Sequence, residues 1–415
     1  MRLVTLLLFA LCAAGAESDQ RARRSALAKA LPDGVIVVFG RAETDADDLR
    51  SGFFQEPNFF YLTGWKEPGA AVLIEPGGAG VAREILFLPR REARKEQWTG
   101  PKGAAGDPDI ARRSGFEQVL PIENLETELR ASLERKTSVY TVGDAAMTSL
   151  KTLAPLRTVA SAKLAIARLR MRKSPDELAA IGRAIDATVA AHREAWKYAA
   201  PGQFEYQVAA RMVGVYAERG CERSSYAPIV GSGPNALVLH YSRNSRRMDR
   251  GELLLMDVGA ECAGYAADIT RTIPLGARFT ERQREIYEVV LGAQKAAIAA
   301  IKPGARLTKN YPGSLYHVAL DYINAHGKDR KGWPLGKYFL HGLSHHVGLE
   351  VHDAWDPDQP LEEGMVITIE PGLYIADEGI GVRIEDMVLV TRDGARVLTD
   401  ALPREAAEVE QAIAR

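Results

Sequence analysis

Leu253-Leu254-Leu255-Met256-Asp257-Val258-Gly259 decides how this chain is read. A run of apolar residues that ends on an acid describes a buried strand terminating in a carboxylate. Burying a carboxylate is costly unless it is paired or bound to a metal. Eleven residues on, Ala267-Asp268-Ile269-Thr270-Arg271-Thr272 repeats the arrangement. Gly259 and Gly264 lie between the two acids and favour a hairpin that sets the carboxylates side by side. Adjacent carboxylates raise one another's pKa unless a cation intervenes.

The pattern recurs further along. Thr368-Ile369-Glu370-Pro371-Gly372 and Gly381-Val382-Arg383-Ile384-Glu385-Asp386 both place acids at the ends of apolar strands. In an extended strand Arg383 and Glu385 share one face, and Asp386 points to the other. Between these pairs of acids, His341 to His352 holds four of the chain's eight histidines within twelve residues. Imidazole is a common ligand for zinc, cobalt and manganese-type ions. One strand-end acid is more often a surface residue; four of them with a histidine cluster point to a metal site. The charge count is instructive: four carboxylates are neutralised by two divalent ions, and such a pair brings the pKa of a bridging water near neutrality. Hard carboxylates with one imidazole favour manganese, cobalt or zinc over copper or iron–sulfur chemistry.

Working outward, 415 residues suit two or three domains. A hydrophobic fraction of 46% and a charged fraction of 26% are those of a soluble globular protein. The 53 Lys and Arg nearly balance the 54 Asp and Glu, so there is no basic field to draw nucleic acid. Met1-Arg2, the apolar run Leu3 to Ala14 and the small residues Ala14-Gly15-Ala16 form the three parts of a secretory signal. Residues 1–16 are therefore expected to be removed and the protein to be periplasmic or secreted. No later stretch approaches about 18 unbroken apolar residues, so no membrane contact is expected of the mature chain. Cys221 and Cys262 then remain. They are read as bystanders, with pairing in an oxidising compartment left open.

Residues 17–165 read as a mixed α/β domain. Val35 to Phe39, Ala70 to Ile74 and Ile85 to Leu88 are short buried strands, and Phe53 to Leu62 concentrates aromatics for core packing. Residues 166–415 read as a second domain. Ser174-Pro175-Asp176-Glu177 starts a helix with a capping box, and Leu178, Ile181, Ile185 and Val189 mark its apolar face. Further helices are expected near 203–219, 281–301 and 311–325, with strands near 253–258, 267–273, 365–369 and 382–390. Helices mixed with antiparallel hairpins make this domain α+β.

With these motifs in place, the chain resembles the pita-bread metallopeptidases: methionine aminopeptidase, aminopeptidase P and prolidase. The order Asp257, Asp268, His345, Glu370, Glu385 carries the resemblance, and it covers essentially the whole mature chain. Phe54-Gln55-Glu56-Pro57-Asn58-Phe59-Phe60-Tyr61-Leu62-Thr63-Gly64 resembles the creatinase/prolidase N-terminal domain, which methionine aminopeptidase lacks. The resemblance implies that those five residues hold two divalent ions, manganese first, with cobalt and zinc as alternatives. Asp268 and Glu385 would bridge them, and Glu370 would also orient or deprotonate the bridging water. It further implies that His240, His352, His341 and Arg383 face the substrate, His240 and His352 near the reacting amide and His341 on the proline side. The expected reaction is hydrolysis of the N-terminal Xaa-Pro bond of proline-containing peptides by a homo-oligomeric enzyme. The alternatives are a prolidase acting on Xaa-Pro dipeptides, a creatinase-like hydrolase and a metal-free binding homologue. Ser344 is nearer to aminopeptidase P, because prolidases more often carry glycine there.

Overall fold

The computed structural model describes residues 19–44, 52–78, 80–276 and 278–414; the expected leader, residues 1–16, lies outside the described residues. The chain divides into two compact units, Met1–Arg170 and Met171–Arg415. No helix among the described residues is long and apolar enough to cross a membrane.

The first unit is built on a six-stranded sheet. Its spatial order is Val119–Pro121, Gly80–Leu88, Ala71–Gly77, Gly34–Phe39, Ser138–Thr141, Thr158–Ser161. The strand Gly34–Phe39 runs antiparallel to Ala71–Gly77 and parallel to Ser138–Thr141. Alternate residues of the central strands, Val35 and Val37, Ala71 and Leu73, Ile85 and Phe87, pack against helix residues Leu125, Leu129, Leu133 and Leu150. That is the period-two pattern of a strand with one face on a helix layer. The aromatic stretch forms a short helix, Pro57–Thr63, which buries Phe59, Tyr61 and Leu62. Glu56 caps it by accepting a hydrogen bond from the Phe59 N–H.

The second unit is laid out as two helix pairs, each followed by antiparallel strands. Pro175–Tyr198 packs on Glu205–Glu218 and is followed by the sheet Ile269–Pro274, Leu253–Val258, Ile229–Ser232. Glu281–Ala299 packs on Leu315–His326 and is followed by Val366–Ile369, Asp386–Thr391, Gly394–Val397. The capping box at Ser174 and Glu177 is present, with Pro175 in the first turn. The helix expected from 311 starts at Leu315 because Pro312-Gly313 precedes its N-cap, Ser314. The strand expected over 382–390 is two strands, Ile380–Arg383 and Asp386–Thr391, with Ile384 and Glu385 at the break. Leaving the ladder there turns Glu385 into the interior.

The hairpin between Asp257 and Asp268 is long. Leu253–Val258 pairs with Ile269–Pro274, with Thr270 opposite Asp257, while Ala260–Cys262 and Tyr265–Ala266 extend the connection. A Cβ on Gly259 would run into the Ala267 carbonyl, so glycine is required at that approach.

The reading of Cys221 and Cys262 as bystanders is corrected: they form a disulfide across 41 residues of sequence. Arg223–Ser224 pairs antiparallel with Ala260–Cys262, and the Glu222 N–H donates to the Glu261 carbonyl. That pairing carries Cys221 to Cys262, and nothing in their sequence separation announces it.

A polar network centred on fully buried Arg271 and Asp386 stands behind the strand ends. Arg271 donates to Asp386 Oδ1 at 2.6 Å and to the Glu385 carbonyl at 2.6 Å, and Arg404 donates to Asp386 Oδ2 at 2.8 Å. Gln294 Nε2 reaches the carbonyls of Ile369 and Ile384, each at 3.1 Å. Removing Arg271 would leave the buried Asp386 charge to the part-exposed Arg404, and losing one side of a buried pair costs about 3–5 kcal/mol. Arg271→Met is therefore expected to lower the denaturant midpoint by a stability loss of about that size. A midpoint matching wild type would contradict the role of the pair.

Candidate metal centre

All nine residues singled out in the sequence line one cavity of about 500 Å³: Asp257, Asp268, His345, Glu370, Glu385, His240, His341, His352 and Arg383. The positions follow from local structure. Asp257 lies within the buried strand Leu253–Val258, and Asp268 immediately precedes Ile269–Pro274. Glu370 follows Val366–Ile369, and its N–H donates to the Leu343 carbonyl. Glu385 sits at the strand break, its N–H donating to the Thr270 carbonyl. The histidines arrive on the irregular segment 340–353. That segment is pinned by the Val347 N–H on the Val366 carbonyl and by the Thr368 N–H on the His345 carbonyl.

Asp268, His345 and Glu385 each offer a ligand atom, and these atoms lie within 4.8 Å of one another. His345 Nε2 is 3.3 Å from Asp268 Oδ2 and 3.5 Å from Glu370 Oε1. Its Nδ1 lies 3.1 Å from the His346 carbonyl. A carbonyl can only accept, so Nδ1 carries a proton, and Nε2, turned toward the carboxylates, is the nitrogen left to give its lone pair to a metal. Thr270 Oγ1 donates to Glu385 Oε2 at 2.7 Å. Arg383 Nη2 donates to Asp257 Oδ2 at 2.5 Å.

The electrostatics of the cage call for cations. Burial, then the neighbouring acids, raise Glu370 to about 7. Burial and Asp257 raise Asp268, and burial with Asp268 and Glu370 drives Glu385 well above the usual carboxylate range. Burial works against a charge on His345, but Asp268 and Glu370 outweigh it and lift the imidazole to about 9. The Tyr226 hydroxyl stands 2.5 Å from both Asp257 Oδ1 and Asp268 Oδ1. One phenolic proton cannot serve two carboxylates, so without a cation one of the acids holds a proton of its own. Divalent ions remove that conflict, because they favour the charged forms of Asp268, Glu370 and Glu385 and take up the His345 lone pair. The donor set therefore fits hard divalent cations.

The outer histidines differ in their engagement. His341 Nδ1 lies 2.7 Å from the Gly342 carbonyl and Nε2 2.8 Å from the Tyr374 hydroxyl, so both ring nitrogens are occupied. His240 is exposed at the cavity wall. Burial, with His345 and His240 adding to it, holds His352 down to about 4, which leaves it neutral near pH 7. Arg383 is saturated too: Nε meets Thr270 Oγ1, Nη1 the Tyr374 hydroxyl, and Nη2 both Asp257 and the Leu239 carbonyl. Tyr226, Tyr374 and Thr270 complete this lattice. No pattern in the sequence marks them; a tyrosine 31 residues before Asp257 has no local signal.

Residues 179–392 match the metallopeptidase family M24, and residues 20–140 match the aminopeptidase P N-terminal domain. The chain belongs to the aminopeptidase P branch of family M24. Xaa-Pro aminopeptidases are its relatives along nearly their whole length. That of Haemophilus influenzae is 33% identical, over 95% of this chain and 96% of the relative. That of Escherichia coli is 31% identical, over 94% of this chain and 96% of the relative. Among solved structures, aminopeptidase P from E. coli with the inhibitor Pro-Leu superposes with a TM-score of 0.83 at 30% identity, covering 96% of this chain and 98% of that one. Proline aminopeptidase P II from Yersinia pestis gives 0.84 at 29%, covering 96% and 99%. This M24 member is a metal-dependent hydrolase with a pita-bread catalytic domain behind an aminopeptidase P N-terminal domain.

Asp268→Ala is expected to lower bound divalent metal, measured by elemental analysis after dialysis. Peptide hydrolysis should fall by about a hundredfold or more, since loss of mere supporting partners already costs 10–100-fold at metal sites. Full metal content and full turnover in that variant would refute the assignment.

Proposed function

We propose that this enzyme removes the N-terminal residue from peptides whose second residue is proline, with two divalent ions in the cage, manganese first and cobalt or zinc as alternatives. The observation that carries the reading is the convergence of five ligand-type side chains and the outer histidines on one cavity, in a chain similar to Xaa-Pro aminopeptidases over 94–95% of its length. A zinc-substituted aminopeptidase P of E. coli is among the similar structures, which supports zinc as an alternative.

Asp257, Asp268, His345, Glu370 and Glu385 would hold the ions. When bound, such a pair makes a water nucleophilic near neutral pH and polarises the scissile carbonyl. The remaining work falls to the chain. Glu370 stands between His345 and His341 and is the carboxylate placed to take the proton from the attacking water. Proline offers no N–H, so the substrate must be gripped through its carbonyl groups. His240 and neutral His352 supply donors for that grip. Arg383 acts indirectly: it fixes Asp257 and, through Tyr374, the ring of His341.

That use of Arg383 also favours an aminopeptidase over a dipeptidase. A dipeptide's terminal carboxylate would need a cation beside the scissile bond. Among the described residues Arg383 is the only Lys or Arg lining the cavity, and its nitrogens are committed to Asp257, Tyr374, Thr270 and Leu239. With manganese present, Xaa-Pro-Yaa tripeptides are expected to be cleaved at kcat/KM at least about tenfold above Xaa-Pro dipeptides, the loss that an unpaired buried carboxylate implies. Equal or preferred dipeptide cleavage would make the enzyme a prolidase.

We further infer export. The Cys221–Cys262 disulfide supports an oxidising compartment, as the leader pattern at residues 1–16 does. Expressed whole in a bacterium, the protein should be recovered outside the cytoplasm with Glu17 as its first residue by mass spectrometry. Cytoplasmic protein with an intact Met1 would contradict this.

A further inference from the structure

Glu205 lies at the start of the helix Glu205–Glu218 and is fully buried. Neither the metal cage nor the cavity uses it. Its two carboxylate oxygens gather donors from a single stretch of chain, residues 232–246. Oε1 accepts from the Ser232 N–H at 2.7 Å, the Ser232 hydroxyl at 2.8 Å and Asn235 Nδ2 at 3.1 Å. Oε2 accepts from the Tyr241 hydroxyl at 2.8 Å, the Arg246 N–H at 2.9 Å and Asn235 Nδ2 at 3.2 Å. The backbone adds a further tie, from the Glu205 N–H to the Arg246 carbonyl. A buried carboxylate is tolerated when several donors satisfy it, and here every one of them belongs to the segment that carries His240.

That segment needs such an anchor. Residues 238–245 form no helix or strand, and His240 projects from them, exposed, into the cavity. The adjoining Tyr241 reaches back to Glu205. Asn244 supports the same turn: its backbone is left-handed at φ 47°, and its side-chain oxygen accepts from the Val230 N–H. The loop thus keeps its shape through side-chain hydrogen bonds, with Glu205 as their hub.

We propose that Glu205 is a positioning residue for His240: through Tyr241, Ser232, Asn235 and Arg246 it fixes the loop that aims this imidazole at the scissile amide. The proposal rests on the reading of His240 as a substrate-facing group. A displacement of about 1 Å at a reacting group can cost about a hundredfold, so a carboxylate that contacts no substrate can still control turnover.

The test is a double-mutant cycle on Xaa-Pro-Yaa cleavage with metal content measured in parallel. Glu205→Gln keeps the size but offers one acceptor oxygen and presents an NH₂ to groups that are themselves donors. Tyr241→Phe removes only the link nearest His240 and carries the test should Glu205→Gln fail to fold. Each is expected to lower kcat by about ten- to a hundredfold with KM changed less and metal content unchanged. In a His240→Ala background the same substitution should change kcat by less than about twofold, as groups acting as one unit are non-additive. Additive losses, a wild-type kcat in both variants, or no loss from His240→Ala itself would overturn the proposal. A crystal structure of Tyr241→Phe reads the loop without turnover: displacement of residues 238–242 supports the proposal, and an unmoved His240 overturns it. Failure of the wild-type enzyme to cleave any Xaa-Pro peptide would instead count against the proposed substrate.

Discussion

The structure depends on one constraint, which is that four carboxylates share a cavity too dry to keep them all charged. Asp257, Asp268, Glu370 and Glu385 converge from different strand ends, and burial with mutual repulsion raises Asp268, Glu370 and Glu385 above the ordinary carboxylate range. Much of what surrounds them is explicable as a response. Arg383 answers Asp257, Thr270 answers Glu385, and the Tyr226 hydroxyl is wedged between Asp257 and Asp268. The remaining imbalance is what divalent cations correct, and it is why the site has chemistry rather than only cost.

The fold delivers these acids by using a helix pair and an antiparallel hairpin twice. A strand end is a good mounting for a ligand, since the ladder fixes the backbone while the side chain leaves the sheet. The backing is as ordered as the cage. Gln294 holds the carbonyls of Ile369 and Ile384, each one residue before a ligand acid, and Arg271 holds the carbonyl of Glu385 itself. Asp386, one residue beyond Glu385, faces the other way into Arg271 and Arg404. A two-residue stretch at the strand break therefore divides its charges between the cavity and the core.

Legibility in the sequence followed the range of the interaction. Acids after apolar runs, a histidine cluster and a capping box are local signals, and the strand Leu253–Val258, the helix from Pro175 and a metal site of Asp257, Asp268, Glu370, Glu385 and a clustered histidine could be anticipated from them, whereas the places of His240, His341, His352 and Arg383 follow only from the family resemblance. What escaped depends on tertiary contact. Tyr226, Tyr374 and Glu205 matter through partners 31 to 42, 9 to 33 and 27 to 41 residues away. The disulfide was invisible for the same reason, as it is a product of the pairing between Arg223–Ser224 and Ala260–Cys262. Arg383 shows an intermediate case. Its presence beside Glu385 could be read from alternation, but whether it faced substrate or a neighbouring acid required the structure.

The cage is tested most directly by anomalous diffraction at the manganese edge from crystals grown with that ion. Two peaks about 3.5–4 Å apart are expected, enclosed by Asp257, Asp268, His345, Glu370 and Glu385, with Asp268 and Glu385 between them. A cavity without anomalous density, or ions bound by other residues while these five remain hydrogen-bonded to one another, would contradict this arrangement.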